Sequence, residues 1–77
     1  MKAIQVRYLG PTNNRGSRFK AFVAGGASVT VPYHYGASTD DNARMAAGAL
    51  MDKLAWAFDI SGAGALPNGD YVFTLAP

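Results

Sequence analysis

The sequence has no cysteine, no glutamate and only one histidine, His34. Without cysteine, neither a disulfide nor a thiolate-held zinc can reinforce the fold. One histidine and five aspartates leave the serines without a base-and-orienter set, which argues against nucleophilic hydrolysis and multi-histidine metal chemistry. No run approaches the ~18 apolar residues of a membrane span. The first residues alternate apolar and polar instead of forming a signal-peptide block. The glycine-rich segments are not phosphate loops: Gly25-Gly26 precedes a strand pattern, Gly62-Ala63-Gly64 follows a helical one, and neither is trailed by Gly-Lys-Ser/Thr. These absences lead to the expectation of a cytoplasmic, non-catalytic protein with no metal, cofactor or membrane partner.

What remains is a chain of 77 residues, read as a single domain over 1–77. Its hydrophobic fraction of 49% includes fourteen alanines, so the large apolar side chains suffice for one thin core. Residues 2–9 alternate, with Ile4, Val6 and Tyr8 on one face. The turn-rich stretch 10–17 leads into a second alternating run, 18–24, with Phe19, Ala21 and Val23 in phase. Gly25-Gly26 suits a tight hairpin turn. A third run, 28–35, carries Val29, Val31, Tyr33 and Tyr35, and Pro32, which lacks an N–H, points to a sheet edge or a bulge there.

A helical pattern follows. Ser38 or Thr39 caps it, and Asp40 and Asp41 lie in its first turn. Apolar residues recur on one face to about Phe58, after which Gly62 and Gly64 break the pattern. Pro67-Asn68-Gly69-Asp70 marks a turn before a last run, 70–75, with Tyr71, Phe73 and Leu75 in phase. The expected fold is α+β: a two-layer β-β-β-α-β unit, with a four-stranded, mainly antiparallel sheet and one helix on one face. The last strand is free to pair beside either the first or the third.

Two surfaces are left over. The net charge of +2 divides into +5 over residues 1–20 and −3 over the remainder. The open sheet face and the 10–18 loop therefore gather Arg7, Arg15, Arg18 and Lys20 with Phe22 and His34, a set suited to an acidic partner surface or to single-stranded nucleic acid. On the helix, Met45, Ala49, Asp52 and Trp56 fall opposite the core face, a stripe suited to a protein contact or a homodimer. If the helix ends before Trp56, that residue folds back into the core instead.

The runs MKAIQVRYLGPTNNRGSRFKAF, VTVPYHYG followed by DDNARMAAGAL, and LPNGDYVFTL together resemble small proteins carried by bacteriophages and prophages. In size and β-β-β-α-β style the chain is similar to anti-CRISPR proteins, which bind and block CRISPR-Cas machinery without catalysis. The resemblance implies a stoichiometric inhibitor in the host bacterial cytoplasm whose partner is a Cas effector subunit, and it assigns no residue a role. Many anti-CRISPR proteins that mimic DNA are strongly acidic and this chain is basic, so contact with a protein surface fits better than phosphate mimicry. A nucleic-acid-binding module and a phage structural or assembly accessory protein are the alternatives.

Overall fold

A computed structural model describes residues 2–11, 13 and 16–76. The element order is β1 (Lys2–Leu9), β2 (Arg18–Phe22), β3 (Ser28–Pro32), α1 (Thr39–Lys53), β4 (Asp59–Ala65) and β5 (Tyr71–Ala76). The fold is thus α+β with one helix on an antiparallel sheet. The sheet has five strands rather than the expected four, in the order β3-β2-β1-β5-β4. The last strand pairs with the first, which puts β1 at the centre.

The strand registers carry the apolar phase across the sheet. Ile4 lies opposite Phe73, Val6 opposite Ala21, and Phe19 opposite Val31. Because side chains alternate between faces, these pairs collect under the helix. The helix lays Ala43, Ala46, Ala47 and Leu50 on them, and all four are fully buried. Their small side chains let the helix lie close to the sheet. The β2–β3 hairpin turns through Gly25 and Gly26, at φ 105° and 98°. That region is closed to most L-residues but open to glycine. The turn between β4 and β5 is closed by hydrogen bonds from Gly69 N–H to Leu66 O (2.9 Å) and from Leu66 N–H to Asp70 O (2.8 Å).

The helix ends five residues earlier than its periodicity predicts. The Trp56 N–H donates to Met51 O (2.9 Å) and the Ala55 N–H to Asp52 O (3.2 Å). This pair of bonds is a Schellman stop. Its left-handed position, at φ 55°, is filled by Ala55 rather than the usual glycine. Ala55→Gly should therefore relieve strain that exceeds the entropy glycine adds to the unfolded chain. The expected gain is about 0.5–1 kcal/mol, measured by urea denaturation. A loss of stability would show that the turn is held by something other than its backbone geometry.

Beyond the stop, the chain turns back along the sheet. Trp56, Phe58 and Ile60 pack against the core together with Met51 and Leu54, extending the layer begun by the helix. β4 follows, with Ser61 bulged between Ile60 and Gly62 and its hydroxyl donating to Thr74 O (3.2 Å). Gly62 leaves room that a side chain would take, since a Cβ there would lie 2.8 Å from Thr74 Oγ1.

The two borders of the sheet differ. On β3, Pro32 has no N–H to offer, and Lys53 Nζ donates to the carbonyl of Ser28 (2.7 Å). On β4, the Leu66–Asp70 bond sets the alternation. It leaves the N–H and C=O groups of Ala63 and Ala65 pointing away from β5, with no strand beyond them.

Candidate functional site: a tyrosine-bearing end and a basic face

All four tyrosines gather at one end of the molecule, around the start of the helix. Tyr8 closes β1, Tyr33 and Tyr35 follow β3, and Tyr71 opens β5. Tyr33 stacks on the buried Phe19 at 5.7 Å between ring centroids. Tyr8 meets Phe19 edge-on at 5.4 Å, and Tyr35 lies tilted beside Tyr33 at 5.1 Å. The phenol of Tyr8 donates to Ser17 Oγ (2.9 Å), and the Tyr33 phenol and Thr39 Oγ1 share a hydrogen bond (3.2 Å). Tyr8, Tyr33 and Tyr35, with Ser17 and Thr39, line an open concavity of about 410 Å³. Tyr35 is 81% exposed and Tyr8 48%. Tyr71 stands on the far side of the helix start, where burial, with Asp40 alongside, pushes its phenol above the ordinary value.

Two features hold this end in place. Ser38 caps the helix, its Oγ accepting from the Asp41 N–H (3.1 Å). Asn42, buried in the second turn, ties down the segment 34–38. Its Oδ1 accepts from the His34 N–H (2.6 Å), and its Nδ2 donates to the carbonyls of His34 (2.9 Å), Ala37 (3.3 Å) and Ser38 (2.9 Å). Strand alternation in the sequence places Tyr8, Tyr33 and Tyr71 on the covered face and marks out no role for Asn42. The available signals were the phenol-bearing residues at strand ends, where an apolar body meets water, and an asparagine in phase with Ala46 and Leu50.

The open face of the sheet carries Arg7, Lys20 and Phe22 together. The Arg7 guanidinium lies over the Phe22 ring at 5.3 Å and Lys20 Nζ at 5.8 Å. Arg7 is not a free cation. Its Nη2 (3.0 Å) and Nε (3.2 Å) donate to Oδ2 of Asp70, which is buried. Gln5 Nε2 (2.6 Å) and Asn68 Nδ2 (3.3 Å) complete that carboxylate's partners. Arg18 begins β2, and its Nε donates to the Gly16 carbonyl (3.3 Å). Arg15 lies outside the described residues.

His34 does not belong to the open face. β3 stops at Pro32, and His34 shares a small concavity with Val31, Asn42 and Met45 on the helix side. The helix stripe also loses a member. Met45, Ala49 and Asp52 stay on α1, with Met45 and Asp52 exposed, but Trp56 lies beyond the Schellman stop. There it packs edge-on to Phe58 at 5.8 Å, with Lys2 Nζ 4.6 Å from its ring. The expected four-residue stripe is therefore corrected to three, with Trp56 belonging to the core layer.

The hydrogen bonds from Arg7 hold the Asp70 carboxyl below its ordinary value near 3.8; burial opposes this, and the bonds from Gln5 and Asn68 add to it. The folded state thus keeps the carboxylate ionised at pH values where the unfolded chain has begun to take up a proton. Stability from Asp70 is complete above the ordinary carboxylate value and falls as pH drops through the lowered one. Asp70→Asn is expected to cost about 1–2 kcal/mol at neutral pH. It should also flatten the fall in stability below pH ~4, measured by denaturation at a series of acid pH values. An equally steep fall in the variant would place the acid sensitivity elsewhere.

Among the described residues, no group of three or more His, Cys, Asp or Glu side chains could hold a metal ion, and no helix is long and apolar enough to cross a membrane. No family model, curated protein or solved structure matches the chain.

Proposed function

We propose that this is a small non-catalytic binding protein that acts stoichiometrically, covering a functional surface of a protein partner with its tyrosine-bearing end. The observation that supports this reading is the pair of exposed rings, Tyr8 and Tyr35, set against half-buried Tyr33 on the rigid footing of Phe19. Tyrosines are enriched at protein contacts because each gives a large amphipathic area while few torsions are frozen. The likeness to phage-carried proteins makes a CRISPR-Cas effector complex in the bacterial cytoplasm the first partner to try, with this chain as its inhibitor. Arg18, Lys20 and Phe22 on the open face supply a second contact. That face is less cationic than the sequence suggests, because Asp70 matches Arg7, so the single-strand nucleic-acid reading is the weaker one. A homodimer through the helix would rest on Met45 and Ala49.

The test mixes the tagged protein with purified active effector complexes. The expected result is copurification and loss of target cleavage near one-to-one stoichiometry, with Tyr35→Ala weakening inhibition about tenfold or more. Tyr35 is exposed, so this variant should keep its melting temperature. Lack of binding to the complexes, with micromolar binding to oligonucleotides that weakens steeply with salt, would favour the nucleic-acid reading. Association with virions would favour a structural or assembly role.

A further inference from the structure

The tyrosine concavity has the makings of a cation site. Its three rings face it in different orientations: Tyr8 and Tyr33 are nearly perpendicular, at 84°, and Tyr33 and Tyr35 are inclined by 48°. Aromatic ring faces carry negative potential and attract ammonium or guanidinium groups within about 6 Å. Elsewhere the chain meets that attraction with its own side chains. Lys2 stands over Trp56 at 4.6 Å, Arg7 over Phe22 at 5.3 Å and Arg44 over Phe73 at 5.5 Å. Among the described residues no cation stands over Tyr8, Tyr33 or Tyr35.

The neighbouring charges point the same way. Asp40 and Asp41 follow Thr39 in the first helical turn and line the adjoining groove with Arg44, leaving that rim one charge negative. Ser17 and Thr39 add hydroxyl oxygens to the wall of the concavity itself. A phosphate-bearing ligand would be repelled by the two aspartates. A planar guanidinium can stack on a ring while its N–H groups reach hydroxyl oxygens, which a compact ammonium does less well.

Building on the binding function proposed above, we propose that the concavity between Tyr8, Tyr33 and Tyr35 receives an arginine side chain of the protein partner. The basic open face and this aromatic end, which adjoins the groove lined by Asp40 and Asp41, then select opposite charges on opposite sides of the sheet.

The site can be tested without any effector complex. The full chain is titrated with the peptide acetyl-Gly-Arg-Gly-amide and with the same peptide carrying neutral citrulline, following tyrosine ring signals by NMR. Expected are millimolar binding of the arginine peptide with shifts confined to Tyr8, Tyr33, Tyr35 and their neighbours, and about fivefold weaker binding of the citrulline peptide. Tyr35→Ala and the double variant Asp40→Asn, Asp41→Asn should each weaken arginine binding about two- to fivefold. Equal binding of the two peptides, shifts centred elsewhere, no binding, or tighter binding of a mononucleotide would overturn the proposal. Peptide binding without inhibition of an effector complex would overturn the proposed function but leave this site standing. Inhibition that Tyr35→Ala weakens, with no binding of the arginine peptide, would do the reverse.

Discussion

Asn42→Ala is expected to lower the free energy of unfolding by about 2–4 kcal/mol, a large share of what a domain this small possesses. The side chain is 2% exposed and all its hydrogen-bonding capacity is turned on the 34–38 segment. Alanine would leave the His34 N–H and the Ala37 carbonyl without their protein partner, and would take one of two donors from the His34 and Ser38 carbonyls, which keep the backbone N–H groups of residues 37 and 42. The isosteric Asn42→Asp separates bonding from packing. A carboxylate would face those three carbonyls with acceptors only, so its loss should equal or exceed that of alanine at neutral pH. Chemical denaturation measures both. A cost below about 0.5 kcal/mol for either variant would mean that the segment is held by its other contacts. Because Asn42 anchors the segment bearing Tyr35, the same variants should broaden the Tyr35 ring signals.

Trp56→Ala is the second large effect, with an expected cost of about 2–3 kcal/mol and no change in sedimentation behaviour. A fully buried tryptophan costs about 3–5 kcal/mol on truncation, and Trp56 is half-buried. Its ring covers the sheet beyond the helix end, against Phe58 and under Lys2. Trp56→Phe should restore most of the loss, since the aromatic contact with Phe58 survives. A variant of unchanged stability but altered association would return Trp56 to an intermolecular surface. The two substitutions probe opposite ends of the layer over the sheet, so their costs should add.

Much of this architecture is legible in the chain. Period-two alternation gives β1, β2 and β3, and it assigns the correct residues to the helix face. Pro32 marks β3 as an edge, and Ser38 with its aspartates marks the helix start. The helix end is obscured because an alanine stands at the left-handed position where glycine is the usual sign, while Ala57 and Phe58 continue the helical apolar spacing by coincidence. β4 is hidden for a related reason. Its run DISGAGA holds one β-branched residue and two glycines, so only pairing with β5 makes it a strand. The Arg7–Asp70 pair joins residues 63 apart and depends on β5 lying beside β1, which local pattern does not specify. The tyrosine end is a matter of lengths. Alternation gives the side of the sheet correctly, but the helix begins too late to cover the strand ends.

The unequal borders of the sheet bear on how copies of this protein could accumulate. Continued stacking of strands from molecule to molecule needs two receptive edges per copy, one to join and one to be joined. Here Pro32 lacks an N–H and Lys53 takes the Ser28 carbonyl on one of them, which leaves Thr30 facing outward between the two, while Ala63 and Ala65 face outward at the other. Edge-to-edge association in concentrated solution is therefore expected to join the β4 borders of two molecules and to go no further readily, since the β3 border offers a third copy little more than the groups of Thr30.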